Sequence, residues 1–204
     1  SGSGTIGGVV ATNLSGPRRL TVGAARDYLL GFKAISGRGE VFKSGGRVMK
    51  NVTGYDLSKL MTGSFGTLAV MDEITLKTLP SPETSCSLIV EEVDFAAAVS
   101  KISGLFATPH EPSSAAILPA NLAKEAGLQE GSGNDTCVIV VRLEGIPISI
   151  GNRLDNLQRL AGGYRLEAPA SEALWAKIRD VKLFSTPVHD VWKISCAPTD
   201  AASL

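Results

Sequence analysis

Glycine is crowded into the first third of this chain, with 14 of its 22 glycines falling between Gly2 and Gly66. A glycine inside a helix costs about 0.5–1 kcal/mol relative to alanine. The stretch therefore reads as turns, hairpins and short helices, and long helices are excluded from it. This composition ends at Leu79-Pro80-Ser81-Pro82, where two prolines stop a strand and begin a connection. Charge changes at the same place. Residues 1–80 carry 10 Lys/Arg against 5 Asp/Glu, and residues 81–204 carry 10 against 15. A domain boundary is expected here, between a basic, turn-rich part (1–80) and an acidic, more regular one (81–204).

The first part reads mostly as β-structure. Tyr28 to Ile35, the turn Ser36-Gly37-Arg38-Gly39 and the return Glu40 to Lys43 have hairpin spacing and chemistry. Tyr55 to Met61 is a short amphipathic helix with Asp56 near its start, and Thr67 to Leu79 is a long strand. The second part alternates. Strands are expected at Ser87–Val93, Ala115–Leu118, Thr136–Leu143, Tyr164–Leu166 and Val191–Cys196. Helices are expected at Phe95–Phe106, capped by Asp94, and at Ala120–Ala126, Ile148–Leu160 and Ser171–Val181. This order predicts an α+β sandwich, with helices on one face of a small antiparallel sheet.

Composition excludes several function classes. The net charge is zero, which argues against a dedicated nucleic-acid binder. No run approaches the apolar length of a membrane span, and Ser1 onward lacks a signal-peptide pattern. Cys86, Cys137 and Cys196 have no paired spacing, and His110 and His189 are the only histidines, so no metal site is expected. A reducing, cytoplasmic setting fits. Asp72 and Glu73 are adjacent, so on a strand they point to opposite faces and make no acid–base pair. His189 reads as a surface or packing histidine, and Trp175 and Trp192 as core. No nucleophile–base set is discernible, so any redox chemistry belongs to a bound cofactor.

Gly2-Ser3-Gly4-Thr5-Ile6-Gly7 matches G-x-G-x-x-G, with Asp27 about 20 residues beyond, but it lacks the preceding strand that a dinucleotide fingerprint requires. Two readings remain. The glycines form a flexible, tag-like start, or Thr5-Ile6-Gly7-Gly8 turns into a short helix through Val9 to Asn13. In the second case its backbone N–H groups face an anion such as a pyrophosphate.

Three ordered segments extend the second reading. They are Thr5-Ile6-Gly7-Gly8-Val9-Val10-Ala11-Thr12-Asn13 with Ser15-Gly16-Pro17-Arg18-Arg19, then Gly45 to Leu57 (GGRVMKNVTGYDL), then Gly63-Ser64-Phe65-Gly66-Thr67-Leu68. Together they resemble the second half of the FAD-binding (PCMH-type) domain shared by vanillyl-alcohol oxidase, D-lactate dehydrogenases and related flavoproteins. Within it they are similar to the FAD-binding subunits of bacterial glycolate oxidase. The resemblance is strong over residues 5–80 and weak beyond, resting there on Val191-Trp192-Lys193-Ile194-Ser195.

The resemblance implies an α+β fold in which a second FAD subdomain (1–80) precedes a ferredoxin-like cap sandwich (81–204). It implies oxidation of glycolate or a related 2-hydroxy acid, with electrons passed to a catalytic flavoprotein subunit and an iron–sulfur subunit. The alternative is a structural or electron-relay subunit without a substrate site. Contact with the inner membrane would come through the complex. Thr5, Gly7 and Gly8 would contact the flavin or its pyrophosphate, Asn13, Ser15 and Gly16 would line the same cleft, and Gly66 and the Val70 main chain would lie near the adenine. Ordinary capping remains open for Asn13 and Ser15, a ligand-free positive-φ turn for Gly66, and a solvated basic face for Arg18, Arg19 and Arg47. The family's first pyrophosphate loop would lie ahead of Ser1, and the cap would continue past Leu204. The chain thus reads as an internal piece, expected alone to hold no FAD tightly because one wall of the flavin cleft is missing.

Overall fold

The computed structural model describes residues 4–48, 54–92, 94–128, 136–184 and 190–203. Gly2-Ser3, His189 and the Met49–Thr53 part of the second motif lie outside the described residues. The chain divides into two compact units, Ser1–Pro80 and Ser81–Leu204.

The first unit begins with helix α1 (Ile6–Ala11), and Thr5 caps it, with the Thr5 hydroxyl accepting from Gly8 N at 3.1 Å. A short helix α2 (Arg19–Val22) and a 3-10 turn (Ala25–Asp27) follow. Strands β1 (Leu29–Ser36) and β2 (Val41–Gly45) form the expected hairpin, and β3 (Ala69–Leu76) pairs along the other side of β1. Helix α3 (Leu57–Met61) is capped by Asp56, whose Oδ1 accepts from Lys59 N at 3.1 Å. The sheet is antiparallel throughout, in the order β2-β1-β3.

At the open end of the hairpin Gly31 pairs with Gly45. A Cβ on Gly45 would overlap the Leu30 carbonyl, so only glycine allows this approach. The core is a single cluster around Val10, Leu29, Phe32, Ala34, Met61 and Ala69. Phe32 and Phe42 meet there edge to face, with centroids 5.7 Å apart. A register shift at Lys33/Ala34 makes Asp72 a bulge residue. Strict alternation therefore fails at Asp72 and Glu73. Both are exposed, and Asp72 meets Lys33 at 3.4 Å.

The second unit is a four-stranded antiparallel sheet in the order β5-β6-β4-β7. Its strands are β4 (Thr84–Glu92), β5 (Ser114–Pro119), β6 (Cys137–Gly145) and β7 (Tyr164–Leu166). Its helices are α4 (Phe95–Phe106), α5 (Ala120–Ala126), α6 (Pro147–Ala161) and α7 (Ala168–Arg179). Taken as four strands in sequence order, the sheet runs second, third, first, fourth, which is the ferredoxin-like arrangement.

The helices cover both faces, not one. Leu88, Ile139, Val141 and Leu143 pack with Ala98 and Leu105 of α4 and Ile150, Leu154 and Leu157 of α6. Ile89, Val138 and Val140 pack with Leu122 and Ala123 of α5 and Leu174 and Trp175 of α7. The reason lies in β6, where Val138 to Val141 are all fully buried. A half-exposed strand would alternate, and this run does not. Burying each such side chain contributes about 1.5–3 kcal/mol.

Two further expectations fail at the end of the chain. Val191–Cys196 is not a strand, because no sheet edge pairs with it among the described residues. Trp192, read as core, is 85% exposed, whereas Trp175 is buried as expected.

Candidate functional site

The candidate residues of the first unit fall on α1, the loop after it, and the approach to β3. Thr5 is occupied as the α1 cap, so Gly8 N is already satisfied within the turn. Gly7 and Gly8 sit inside a helix with ordinary negative φ. A Cβ on Gly7 would stand 3.8 Å from Thr5 Oγ1, and one on Gly8 would stand 3.4 Å from it. Alanine therefore fits at both positions and would favour the helix. Nothing in the packing of α1 requires glycine. The small side chains leave its backbone open to close approach.

Asn13 ends the helix with φ +50, and its Oδ1 accepts from Arg26 N at 3.0 Å. The Ser15 hydroxyl accepts from Arg19 Nη1 at 3.2 Å, and the Gly16 carbonyl accepts from Arg19 N at 3.0 Å. These three residues do ordinary turn and capping work.

The end of α1 is tied to the Gly63–Gly66 loop. Gly63 N donates to the Val10 carbonyl at 3.2 Å and Phe65 N to the Ala11 carbonyl at 2.9 Å. Ser64 Oγ is buried in that loop without a hydrogen-bond partner. Gly66 has φ +75 with open space where a Cβ would stand. Val70 lies apart on edge strand β3 with its side chain 67% exposed. It extends an apolar row through its register partner Ile35 to Val41 on β2. As an edge strand, β3 keeps alternate N–H and C=O groups free of β1.

The structure thus joins Thr5–Asn13 to Gly63–Gly66 and leaves Val70 on the adjoining strand. The residues fit a dinucleotide in part. A glycine-lined backbone, a cradle at Gly66 and the orphaned Ser64 hydroxyl are available, whereas the Asn13 and Ser15 side chains are engaged.

Two features escaped the sequence reading. One is a cleft of about 360 Å³ between α3 and the open end of β1–β2, touched by none of the eight candidates. The other is a pocket of about 190 Å³ in the second unit, where Cys86 Sγ donates to Glu167 Oε2 at 3.6 Å. Burial, and then the Glu167 carboxylate, push the Cys86 thiol above its ordinary range, so it stays protonated. No spacing rule could find either feature, because both join residues far apart in sequence. Among the described residues no group of His, Cys, Asp or Glu could hold a metal ion, and no helix is long and apolar enough to cross a membrane.

The turn-rich α+β unit and the ferredoxin-like sandwich together define a fold found among solved enzymes. The chain is similar, over 87% of its length and 38% of the other's, to alkyldihydroxyacetonephosphate synthase, with a TM-score of 0.61 at 17% identity. No family model matches the chain. In sequence it is similar to the glycolate oxidase subunit GlcE of Escherichia coli (strain K12), 50% identical over 99 residues, 48% of this chain and 28% of that protein. A D-lactate dehydrogenase of Anaerostipes hadrus is 44% identical over 86 residues, 42% of this chain and 18% of that protein. The uncharacterized FAD-linked oxidoreductase MT2338 of Mycobacterium tuberculosis (strain CDC 1551 / Oshkosh) is 43% identical over 108 residues, 50% of this chain and 24% of that protein. The homologues are thus glycolate oxidase subunits and FAD-linked oxidoreductases, as the motifs imply. The chain spans between 18% and 28% of the length of these relatives.

Proposed function

We propose that this chain is part of an FAD-linked oxidoreductase acting on a small 2-hydroxy acid, as an FAD-binding subunit of the glycolate oxidase type. The observation that carries the reading is α1. Its two glycines are unfavourable to the helix and unnecessary to its packing, which fits a backbone kept bare for a ligand. In this reading Thr5, Gly7 and Gly8 approach the flavin or its pyrophosphate. Asn13, Ser15 and Gly16 hold the shape of the neighbouring loop, and Gly66 with the Val70 main chain borders the adenine. Bound FAD supplies a two-electron acceptor for oxidation of the hydroxyl carbon. The chain's own residues bind and orient. Electrons then pass to a catalytic flavoprotein subunit and an iron–sulfur subunit.

The test is flavin content and bleaching in the full-length subunit, alone and with its partners. FAD retained by the wild type, and lost on replacing Gly8 by Val, supports the reading. A Gly8→Val protein that folds and keeps its flavin overturns it. Bleaching by glycolate in the isolated subunit assigns it a substrate site, and bleaching only with partners assigns it an electron-relay role. The 204-residue chain alone is expected to purify colourless. Each open, water-exposed contact is worth on the order of 1 kcal/mol, and the few proposed here fall below the roughly 8 kcal/mol of micromolar binding.

A further inference from the structure

We propose that the cleft between α3 and the open end of the β1–β2 hairpin binds a small organic anion with an apolar or aromatic body. None of the proposed flavin contacts lines this cleft, and the proposal does not rest on them. The cleft holds about 360 Å³, within the roughly 300–1,000 Å³ of small-molecule sites. Its lining combines apolar walls with cationic groups, and the acids among them are already occupied.

The apolar part comes from Leu30, Val48 and Tyr55. Val48 is 65% exposed and Tyr55 is 91% exposed, so this wall faces open space instead of the core. Large apolar side chains grouped at a cleft mark contact surfaces more often than chance exposure does. The cationic part comes from Arg26 and Lys59. Arg26 is held by its backbone, because its N–H donates to Asn13 Oδ1. Among the described residues no acceptor meets its guanidinium. Among the described residues Lys59 meets only Asp56, at 3.5 Å between two half-exposed side chains, a pairing worth about 0–1 kcal/mol.

Two carboxylates also line the cleft, and each has structural work. Asp27 Oδ2 accepts from Ala24 N at 2.8 Å, and Asp56 Oδ1 caps α3 through Lys59 N. Both keep their negative charge, so the lining is formally neutral and the anion's contact is local to the Arg26 guanidinium. A planar guanidinium and an exposed phenol ring lining one cleft suit a carboxylate or phosphate carried on a flat body, with the anion on Arg26 and the body on Tyr55 and Val48.

The test titrates phenyl phosphate into the isotope-labelled 204-residue chain at constant ionic strength, following the Gly45 and Gly54 amides and the Arg26 Nε–H by NMR. Inorganic phosphate and FAD are run as parallel probes. The expected result is a saturable shift confined to the cleft with phenyl phosphate, weakened about tenfold or more in Arg26→Gln. The exposed Arg26 side chain supports no packing, so the variant is expected to fold, and an unchanged thermal midpoint checks that. The proposal is overturned by any of three results: no saturable shift, an equal shift in Arg26→Gln, or an equal response to inorganic phosphate. It is also overturned if FAD moves the same resonances and competes with phenyl phosphate, which would make the cleft part of the flavin site. Loss of flavin binding elsewhere leaves the phenyl phosphate titration unaffected, so the two readings fail separately.

Discussion

Replacing Ser87 by alanine tests how the α7 face of the second sheet is held. Ser87 is fully buried, and its hydroxyl joins two partners, accepting from Trp175 Nε1 at 2.8 Å and sharing a hydrogen bond with Ser171 Oγ at 2.7 Å. Ser171 is also fully buried, and the Trp175 ring lies under the Arg142 guanidinium at 5.8 Å from its centroid. Truncation at Ser87 leaves the indole N–H with nothing to donate to and strips Ser171 of its partner. A buried group left unsatisfied costs about 1–3 kcal/mol, so Ser87→Ala is expected to lose about 2 kcal/mol. Ser171→Ala keeps the indole bond and is expected to lose about 1 kcal/mol. Trp175→Phe removes the donor itself, so in the double variant the Ser87 change costs at least about 1 kcal/mol less than it does alone. Urea denaturation followed by far-UV circular dichroism reads the wild type and all four variants on one scale, and 2 kcal/mol moves the midpoint by about 1 M. Strictly additive losses, or a Ser87→Ala change below about 0.5 kcal/mol, would refute the argument that this trio is a satisfied buried network.

Asp94→Ala removes the cap of α4, where Oδ2 accepts from Ala97 N at 3.0 Å, and is expected to cost about 1 kcal/mol in the same assay. Gly163→Ala puts a Cβ into the Ile89 carbonyl at φ +82 and is expected to cost about 2–4 kcal/mol, or to dislodge β7 from β4 in hydrogen exchange. Burial raises the thiols of both Cys86 and Cys137 above the unfolded value. Their stabilisation is therefore full below about pH 8.5 and is lost as pH rises through the folded values. The urea midpoint should fall on going to pH 10, less steeply in Cys86→Ala/Cys137→Ala. At pH 8 a thiol reagent should find only the exposed Cys196 quickly. Arg18→Glu with Arg19→Glu in the full-length subunit should reduce flavin retention or complex yield, most of all at low salt; unchanged values would make both solvated surface.

The bounds of helix α4 were legible because its signals are local, an aspartate cap and apolar residues three and four apart, whereas its buried face falls on Ala98 and Leu105 and leaves Phe95 exposed. The hairpin was legible because Ser36 to Gly39 states its own turn. The covered second face of the sheet was written in Cys137-Val138-Ile139-Val140-Val141, whose lack of polar alternates means burial on both sides. Expecting helices on one face of the sheet missed that. Val191–Cys196 shows the opposite limit. A strand needs an edge to pair with, and alternation alone cannot supply one. At the candidate site the Thr5–Gly8 turn is local and was visible. The Asn13–Arg26 and Val10–Gly63 bonds join distant segments, and only the fold reveals them.

The strand order of the second unit also fixes a sequence of events during synthesis. Strand β4 leaves the ribosome first, yet its long partner is β6, and the nearest register pair joins Glu92 to Cys137. At about 5–20 residues per second that partner follows roughly 2–9 s later. In the interval Cys86 to Val90, buried on both sides in the finished sheet, has only helices α4 and α5 and the short β5 segment for company, and β5 itself pairs with β6. The nascent unit therefore exposes an adhesive strand edge for seconds until β6 inserts between β5 and β4, and its faces are fully covered only when α6 and α7 follow. A pause in translation before Cys137 would lengthen the exposure of the β4 edge that β6 covers, and one after Gly145 would not.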